Sequence, residues 1–313
     1  MESFLLSWNA VAPLFFIVVV GYLVKASGML SESARNEFNK VCFNVFLSSN
    51  LFYSVYTSDL SQIANAGLLA FCIVGVLVEC GVGRIIIPRL TPSSKSRGAM
   101  LQGMFRTNLA LVGLPVVQGL YDGYLGPFPL LIAVVIPIYN ILGAVVLESY
   151  RGTGSGPDLK KILRGIVINP LVIGTGLGIV FTLAGWKLPG AVEETVYYFS
   201  KASTGVALLI LGASLHLGSI KGNSRLLTIF LALRLAIFPI IACVIAIAMG
   251  FRGVDLASIL MVFGCPLGTV TYTIAQQMDS DAELAGEQVI FSTLFSCLTL
   301  FIQIFVLNQM GLI

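Results

Sequence analysis

Charged side chains are scarce in this chain. Asp, Glu, Lys and Arg make up 11% of its 313 residues, whereas 57% are hydrophobic and the mean hydropathy is +0.95. A soluble domain needs about 25% charged residues to cover its surface. No stretch outside the apolar runs exceeds roughly a dozen residues, which is too few to bury a core. The composition therefore excludes a soluble domain and predicts an integral membrane protein.

Groups that serve catalysis and metal binding are also few. The chain has one histidine, His216, and its six cysteines lie in apolar runs without CxxC or Cys–His spacing. Such cysteines are typical of small buried hydrophobes rather than of a disulfide framework or a zinc site. The sequence shows no Walker A, haem-attachment or Ser-His-Asp arrangement. We expect neither an enzyme nor an ATP-driven pump, no cofactor, and no nucleic-acid partner at a net charge of only +3.

Long apolar runs dominate what is present. A helix needs about 20 apolar residues to cross the hydrocarbon layer, and ten runs approach or exceed this length. They predict an all-α integral membrane protein, embedded in the lipid bilayer, with ten transmembrane helices. The predicted spans are residues 8–28, 36–56, 64–88, 98–121, 127–150, 161–184, 191–216, 224–249, 254–278 and 283–309.

The chain divides into two halves of five spans each, residues 1–152 and 153–313. Because five is an odd number, the second half enters the membrane in the opposite sense. This is the inverted repeat of many secondary transporters. Pro115 in the fourth span and Pro266 in the ninth recur in corresponding places. We therefore expect two inverted five-helix repeats that together form one transport unit.

Lysine and arginine concentrate in the loops after the first, third, fifth and seventh spans, whereas the loop after the ninth span carries Asp279 and Asp281 instead. The loop after the third span, for example, carries Arg84, Arg89, Lys95 and Arg97, whereas the next loop carries Asp122. Cytoplasmic loops hold the excess of Lys and Arg, and acidic residues count little in this rule. We expect a multi-pass protein of the cell membrane, plasma or inner, with both termini outside.

The fourth and ninth spans each carry a glycine and a proline close together, Gly113 with Pro115 and Gly264 with Pro266. Glycine lets a ligand approach the backbone, and proline breaks a helix interior. Broken helices at membrane depth are tolerated only where they are buried in protein or line a cavity. The N-terminus of a half-helix carries about +0.5 of a charge and attracts anions. The pair of breaks predicts an anion site where the two helices cross.

Polar side chains inside the predicted spans extend this candidate site. They are expensive in a membrane and therefore face protein or water. The candidates for substrate contact, besides the two glycines and two prolines, are Asn108, Asn140, Thr269, Ser49 and Asn50.

Two charged residues inside the predicted spans, Arg106 and Glu79, are not included among the candidates for substrate contact. Arg106 can lie near the surface and extend its guanidinium to the headgroups. Glu79 is a candidate proton carrier, but the favoured expectation is a position at the membrane interface with Arg84 as its ion-pair partner.

At these residues the chain resembles the auxin efflux carrier family over almost its whole length. The most specific part is Phe-Arg-Thr-Asn-Leu-Ala-Leu-Val-Gly-Leu-Pro at 105–115, supported by 169–171, 208–215 and 272–277. The resemblance implies a scaffold domain, a transport domain that carries the crossover, and elevator-like alternating access. It also implies that Asn108 and the two crossover prolines belong to the site, and a homodimer is a family expectation. The short central loop favours a bacterial-type carrier.

Three functions fit these residues. The first is a secondary active transporter of a small organic anion, a carboxylate such as a dicarboxylate or an auxin-like acid. The second is a sodium-coupled symporter of the bile acid type, with sodium bound by freed carbonyls and side-chain oxygens near the crossover. The third is a membrane sensor that binds a ligand without moving it. We favour the first, with sodium or a proton as the coupling ion.

Overall fold

The computed structural model describes residues 2–57, 65–151, 167–168, 170–214, 224–268 and 270–313. Within these ranges the chain is helical and contains no strand, as the sequence predicts. The helices are α1 (Glu2–Ala26), α2 (Glu32–Val41), α3 (Ser48–Tyr56), α4 (Ala66–Leu90), α5 (Ser94–Phe105), α6 (Leu114–Leu120), α7 (Phe128–Arg151), α8 (Pro170–Ala184), α9 (Gly190–Ser214), α10 (Ser224–Ala232), α11 (Phe238–Ala248), α12 (Gly253–Gly264), α13 (Val270–Gln277) and α14 (Ala282–Gln309). Three π-helical turns, Cys42–Leu47, Leu109–Gly113 and Leu233–Ile237, precede α3, α6 and α11.

Several helices are long and apolar enough to cross a membrane. In the described part of the chain there are five: Ala66–Leu90, Phe128–Tyr150, Gly190–Ala213, Ser224–Ala248 and Ala282–Gln309. Shorter apolar helices include Leu109–Leu120, Pro170–Ala184 and Gly253–Gly264. The chain is thus a multi-pass membrane protein, whereas the count of ten spans and the inverted repeat stay predictions.

Outward-facing side chains on the long helices are themselves apolar. On α4, Val74 and Val78 are exposed one turn apart, and Ile240 and Val244 repeat this spacing on α11. In water such stripes would favour aggregation, whereas lipid tails are as apolar as these side chains. The exposed surface of these helices is therefore suited to the hydrocarbon layer.

The chain folds into two compact units, and each unit contains segments from both sequence halves. The first unit comprises Met1–Ala66, Ala110–Val134 and Leu163–Leu215, and the second comprises Gly67–Leu109, Val135–Ile162 and His216–Ile313. The predicted division into residues 1–152 and 153–313 describes repeats in the sequence rather than these compact units, and it stays a prediction.

Helices of the first unit approach each other closely at glycines. A Cβ atom built at Gly212 of α9 would collide with the carbonyl oxygen of Val18 in α1, and Gly21 of α1 meets the backbone of α9 in the same way. Gly174 of α8 likewise lies against the carbonyl of Ser48 in α3. Small residues at helix contacts are typical of membrane proteins, where close van der Waals packing holds helices together.

In the second unit, two helices are enclosed by protein on all sides. Residues 98–105 of α5 and 256–264 of α12 are buried without interruption. Both helices end at an interruption of the helical backbone, where polar groups lose their intrahelical partners. Enclosure in protein is the condition under which such interruptions are tolerated at membrane depth.

Candidate functional site

Two helices of the second unit, α5 and α12, end at interruptions, as the sequence predicts for the fourth and ninth spans. The first interruption follows Phe105 of α5, and helical structure resumes at Leu109. The second follows Gly264 of α12, and helical structure resumes at Val270. Each interruption thus joins the C-terminus of one helix to the N-terminus of another.

The two interrupting segments pair with each other. Thr107 and Leu267 form an isolated antiparallel β-bridge. The backbone N–H of Asn108 donates to the carbonyl of Pro266 at 2.8 Å, and the N–H of Leu267 donates to Ser292 Oγ at 3.0 Å. Backbone groups that the helices leave unpaired therefore find partners within the second unit, and the two segments cross at these residues.

The position of the first break differs from the one expected. The sequence interpretation centred it on Gly113 and Pro115, but the structure has it at residues 106–108. Gly113 ends the π-helical turn, and Pro115 is the second residue of α6, so both lie in the continuous apolar helix Leu109–Leu120. A proline inside a helix removes one backbone hydrogen bond, and the π-helical turn Leu109–Gly113 directly before Pro115 is the local irregularity that accompanies it. Pro266, in contrast, lies within the second interrupting segment.

Tyr139 of α7 connects the crossing to two elements. Its hydroxyl lies 2.7 Å from Thr107 Oγ1 and also donates to the carbonyl of Val262 in α12 at 3.4 Å. The side chain is fully enclosed, and a buried tyrosine hydroxyl needs such partners. Tyr139 therefore ties the first segment to the helix that precedes the second.

A buried ion pair supports the end of α12. Arg234 donates from Nη1 to the carbonyl of Phe263 and from Nη2 to the carbonyl of Cys265 at 3.0 Å, while Nη1 lies 3.3 Å from Glu79 Oε1. The last carbonyls of a helix lack intrahelical partners and favour a cation. The expectation for Glu79 was wrong, because it is buried with Arg234 instead of lying at the interface with Arg84.

The alternative of a surface position for Arg106 was also wrong. Arg106 follows α5 directly and is 7% exposed. Its Nη2 donates to Asn140 Oδ1 at 2.8 Å, and its Nη1 donates to the carbonyl of Tyr139 at 3.5 Å. Asn140, a predicted site residue, therefore lies close to the crossing and holds this guanidinium.

The other predicted residues of the second unit have mixed environments. Asn108 is buried at the crossing. A Cβ atom built at Gly264 would lie 3.2 Å from Gln303 Oε1 and 3.4 Å from Leu300 Cδ2, so that face of Gly264 is occupied by α14. Thr269 lies outside the described residues.

In the first unit, Asn50 belongs to a polar network. Its Nδ2 donates to Ser203 Oγ at 2.6 Å, and its Oδ1 accepts from Ser200 Oγ at 3.1 Å and from Gln118 Nε2 at 3.4 Å. Thr204 Oγ1 donates to Gln118 Oε1 at 2.8 Å. This network joins α3, α6 and α9 and fixes the amide of Asn50.

The network forms one wall of a cavity of about 660 Å³ within the first unit. Aromatic and charged residues also line this cavity, among them Tyr53, Tyr197 and Lys201. Lys201 Nζ lies 5.7 Å from the ring centroid of Tyr197. Ser49 lines a different cavity of about 450 Å³ in the same unit, so the adjacent residues Ser49 and Asn50 do not share one pocket.

Sequence reasoning missed Tyr139, Arg234, Ser292 and Gln118. Arg234 stands inside a predicted span, where a charge by itself indicates function or a buried partner, and this signal could have identified it. Tyr139 precedes the predicted Asn140 but looks like part of an apolar run. Ser292 and Gln118 carried no signal beyond being polar residues within apolar segments.

Comparisons with known proteins by sequence point to membrane transporters. The sequence model of a family described as membrane transport protein matches residues 6–153 and 158–304. The chain is 25% identical over 299 residues to an uncharacterized transporter of Methanothermobacter thermautotrophicus, covering 95% of this chain and 97% of that protein. It is 24% identical to an uncharacterized transporter of Methanocaldococcus jannaschii, over 93% of this chain and 96% of that protein. It is also 23% identical to auxin efflux carrier component 8 of Arabidopsis thaliana, over 52% of this chain and 46% of that protein.

Proposed function

This chain belongs to the membrane transport protein family, that of the auxin efflux carriers, and from this premise we propose that it is a secondary active transporter of a small organic anion. The anion is a carboxylate, such as a dicarboxylate or an auxin-like acid. The observation that carries the proposal is the crossing of the two interrupted helices, with Asn108 bonded to Pro266 across it.

The electrostatics of the crossing favour an anion. Helices begin at Leu109 and Val270, directly after the paired segments, and the first turn of a helix presents unpaired N–H groups and partial positive charge. Arg106 adds a buried cation beside the same segments. An anion gains from both contributions, whereas a cation is repelled by both.

The substrate site that we propose centres on Asn108, Pro266 and Asn140 in the second unit. Asn108 lies in the paired segment, and Asn140 is bonded to Arg106 next to it. Thr269 follows the second segment in sequence and belongs to the same proposal. Gly113 and Pro115 shape the helix that begins at the crossing rather than the crossing itself.

We further propose that the second unit is the transport domain of an elevator-type carrier and that the first is its scaffold. The paired segments, Arg106 and Asn140 belong to the second unit alone, so a movement of that unit would carry these residues together. The helix that begins at Leu109 continues into the first unit from Ala110 onward. The glycine-mediated backbone contacts of the first unit suit a part that stays rigid.

Transport by purified protein in liposomes tests the function directly. We expect counterflow of at least one acid from a panel of malonate, malate, succinate and indole-3-acetate, above the level of protein-free liposomes. Each acid is measured with and without sodium and with and without a pH gradient, which identifies the coupling ion. Binding of an acid in a thermal-shift assay without any counterflow would support the sensor and contradict a carrier.

The orientation that we propose places Lys95 on the cytoplasmic side and Asp122 on the outside. A cysteine introduced next to Asp122 should react with an impermeant maleimide in intact cells, whereas one next to Lys95 should react only after permeabilisation. The opposite pattern would overturn the orientation that follows from the lysine and arginine bias.

A further inference from the structure

Arg106 is a buried guanidinium whose partners in the described part of the chain are neutral. Its two hydrogen-bond acceptors, Asn140 Oδ1 and the carbonyl of Tyr139, are both neutral. None of the described Asp or Glu side chains forms an ion pair with it, whereas the other buried guanidinium of this unit, that of Arg234, has Glu79. A buried charge without a counter-charge is unfavourable unless a partner completes it.

A second buried polar group lies next to Arg106. Gln102 is one turn earlier on α5 and is 0% exposed. Neither its amide nitrogen nor its amide oxygen has a hydrogen-bond partner among the described residues. Leaving such a group unsatisfied in a protein interior is unfavourable, and few groups of this kind remain in native structures.

Both side chains converge on a glycine of α7. A Cβ atom built at Gly143 would lie 3.3 Å from Arg106 Nη1 and 3.3 Å from Gln102 Nε2. Any other residue here would press against the two donor groups. Gly143, one turn after Tyr139 and Asn140, thus leaves room on α7 for these two donor groups.

We propose that Arg106, Gln102 and Gly143 form a subsite for a carboxylate group of the transported anion. The guanidinium offers a planar pair of N–H donors that match the two oxygens of a carboxylate, and the amide nitrogen of Gln102 adds a further donor. A carboxylate supplies the counter-charge that the described residues do not give Arg106, and it supplies a partner for Gln102. The inference rests on the proposed function and assigns anion selectivity to these residues.

The test compares an acid with its uncharged amide. The probe is the acid of the panel above that binds the wild-type protein most tightly, together with the amide of the same acid, both titrated in detergent by calorimetry. The variants are Arg106→Gln, Arg106→Lys, Gln102→Leu and Gly143→Val. Gly205→Ala in α9 serves as a matched control, because a Cβ atom there meets nothing within 4 Å.

The quantity compared is the affinity for the acid divided by the affinity for its amide. We expect this ratio to fall at least tenfold in Arg106→Gln. It should recover in part in Arg106→Lys, because lysine keeps the positive charge but not the planar pair of donors. Gln102→Leu and Gly143→Val, which retain Arg106, should weaken acid binding, and Gly205→Ala should leave it unchanged. A residue that only supports the fold would lower both affinities together without changing their ratio. An unchanged ratio in monodisperse Arg106→Gln overturns the subsite.

The same experiment separates this inference from the proposed function. If Arg106→Gln transports the acid with unchanged selectivity, the subsite is wrong and the carrier stands. If the wild-type protein neither binds nor transports any acid of the panel, both proposals fail. If chloride competes with the acid as strongly as a second carboxylate does, the subsite binds small anions in general and carboxylate recognition is refuted.

Discussion

Removing Arg234 should destabilise the protein more than removing Arg234 and Glu79 together. Arg234→Met deletes a guanidinium that is 0% exposed while keeping most of the side-chain volume. The change leaves Glu79 buried without a counter-charge. It also leaves the carbonyls of Phe263 and Cys265 without their donor.

The expected loss in the free energy of unfolding follows from these contacts. Breaking a buried ion pair by removing one partner costs about 3–5 kcal/mol, most of which reflects the charge that stays behind. Each buried carbonyl that loses its partner adds about 1–3 kcal/mol. In the double variant Glu79→Leu with Arg234→Met no charge is left unpaired, so only the carbonyl contribution remains. We therefore expect the double variant to be more stable than Arg234→Met by at least about 2 kcal/mol.

Unfolding of the purified protein by SDS in mixed micelles at pH 7.5 measures this difference. The set consists of the wild type, Arg234→Met, Glu79→Leu and the double variant, with helicity and the reactivity of the buried cysteines as independent probes. Glu79→Leu should cost less than Arg234→Met, because Arg234 keeps its two carbonyl partners. The coupling free energy then follows from the double-mutant cycle.

The reasoning is refuted if the two single effects add up in the double variant. Additivity would mean that Glu79 and Arg234 do not interact across the 3.3 Å that separates their charged atoms. A double variant that is less stable than Arg234→Met would likewise exclude the ion pair as the source of the effect.

Three further outcomes are expected. Gly212→Leu should unfold the first unit or prevent its assembly, because even a Cβ atom at this position collides with the backbone of α1. Gly205→Ala in the same helix is the control, and its free energy of unfolding in SDS should stay within about 0.5 kcal/mol of the wild-type value. Asn108→Ala should weaken acid binding by about 1–3 kcal/mol if its amide contacts the anion, and unchanged calorimetric affinity in a monodisperse variant would remove it from the site. Pro266→Ala should reduce acid uptake more than Pro115→Ala, because only Pro266 lies in an interrupting segment; equal uptake would contradict that distinction.

The helical architecture could be predicted because the hydrocarbon layer restricts the choices. A run such as Ala66–Leu90 has too few polar groups for water and must satisfy its backbone internally, which leaves helix as the available structure. The second interruption was foreseeable because Gly264 and Pro266 lie at it and proline ends a helix. The first, at residues 106–108, contains neither glycine nor proline. The residue at which a helix stops was not foreseeable, because a proline can lie within a continuous helix, as Pro115 does, as well as in a break, as Pro266 does.

The partners of buried polar groups depend on tertiary contacts, which cannot be read from the sequence. Glu79 has an arginine five residues further along its own helix, and nearness in the sequence made Arg84 the expected partner. The packing of α4 instead brings it to Arg234, 155 residues further along the chain. Arg106 is similar, because its burial depends on Asn140 and Tyr139 of α7 and not on its neighbours in sequence. Asn50 was identifiable as a polar residue within a span, but its link to Gln118 was not.

The pairing of Asn108 with Pro266 has a consequence for how the protein is made. The two residues stand in opposite halves of the chain, so the ribosome completes the first interrupted helix well before the second exists. Synthesis proceeds at about 5–20 residues per second, so on the order of ten seconds pass between the synthesis of Asn108 and that of its acceptor, Pro266. During that time the nascent segment must stay within the insertion machinery or keep water beside it, because lipid tails accept no hydrogen bond. A nascent chain arrested before residue 266 should therefore leave residues 106–108 open to hydrogen exchange, and extension of the chain past α13 should close them.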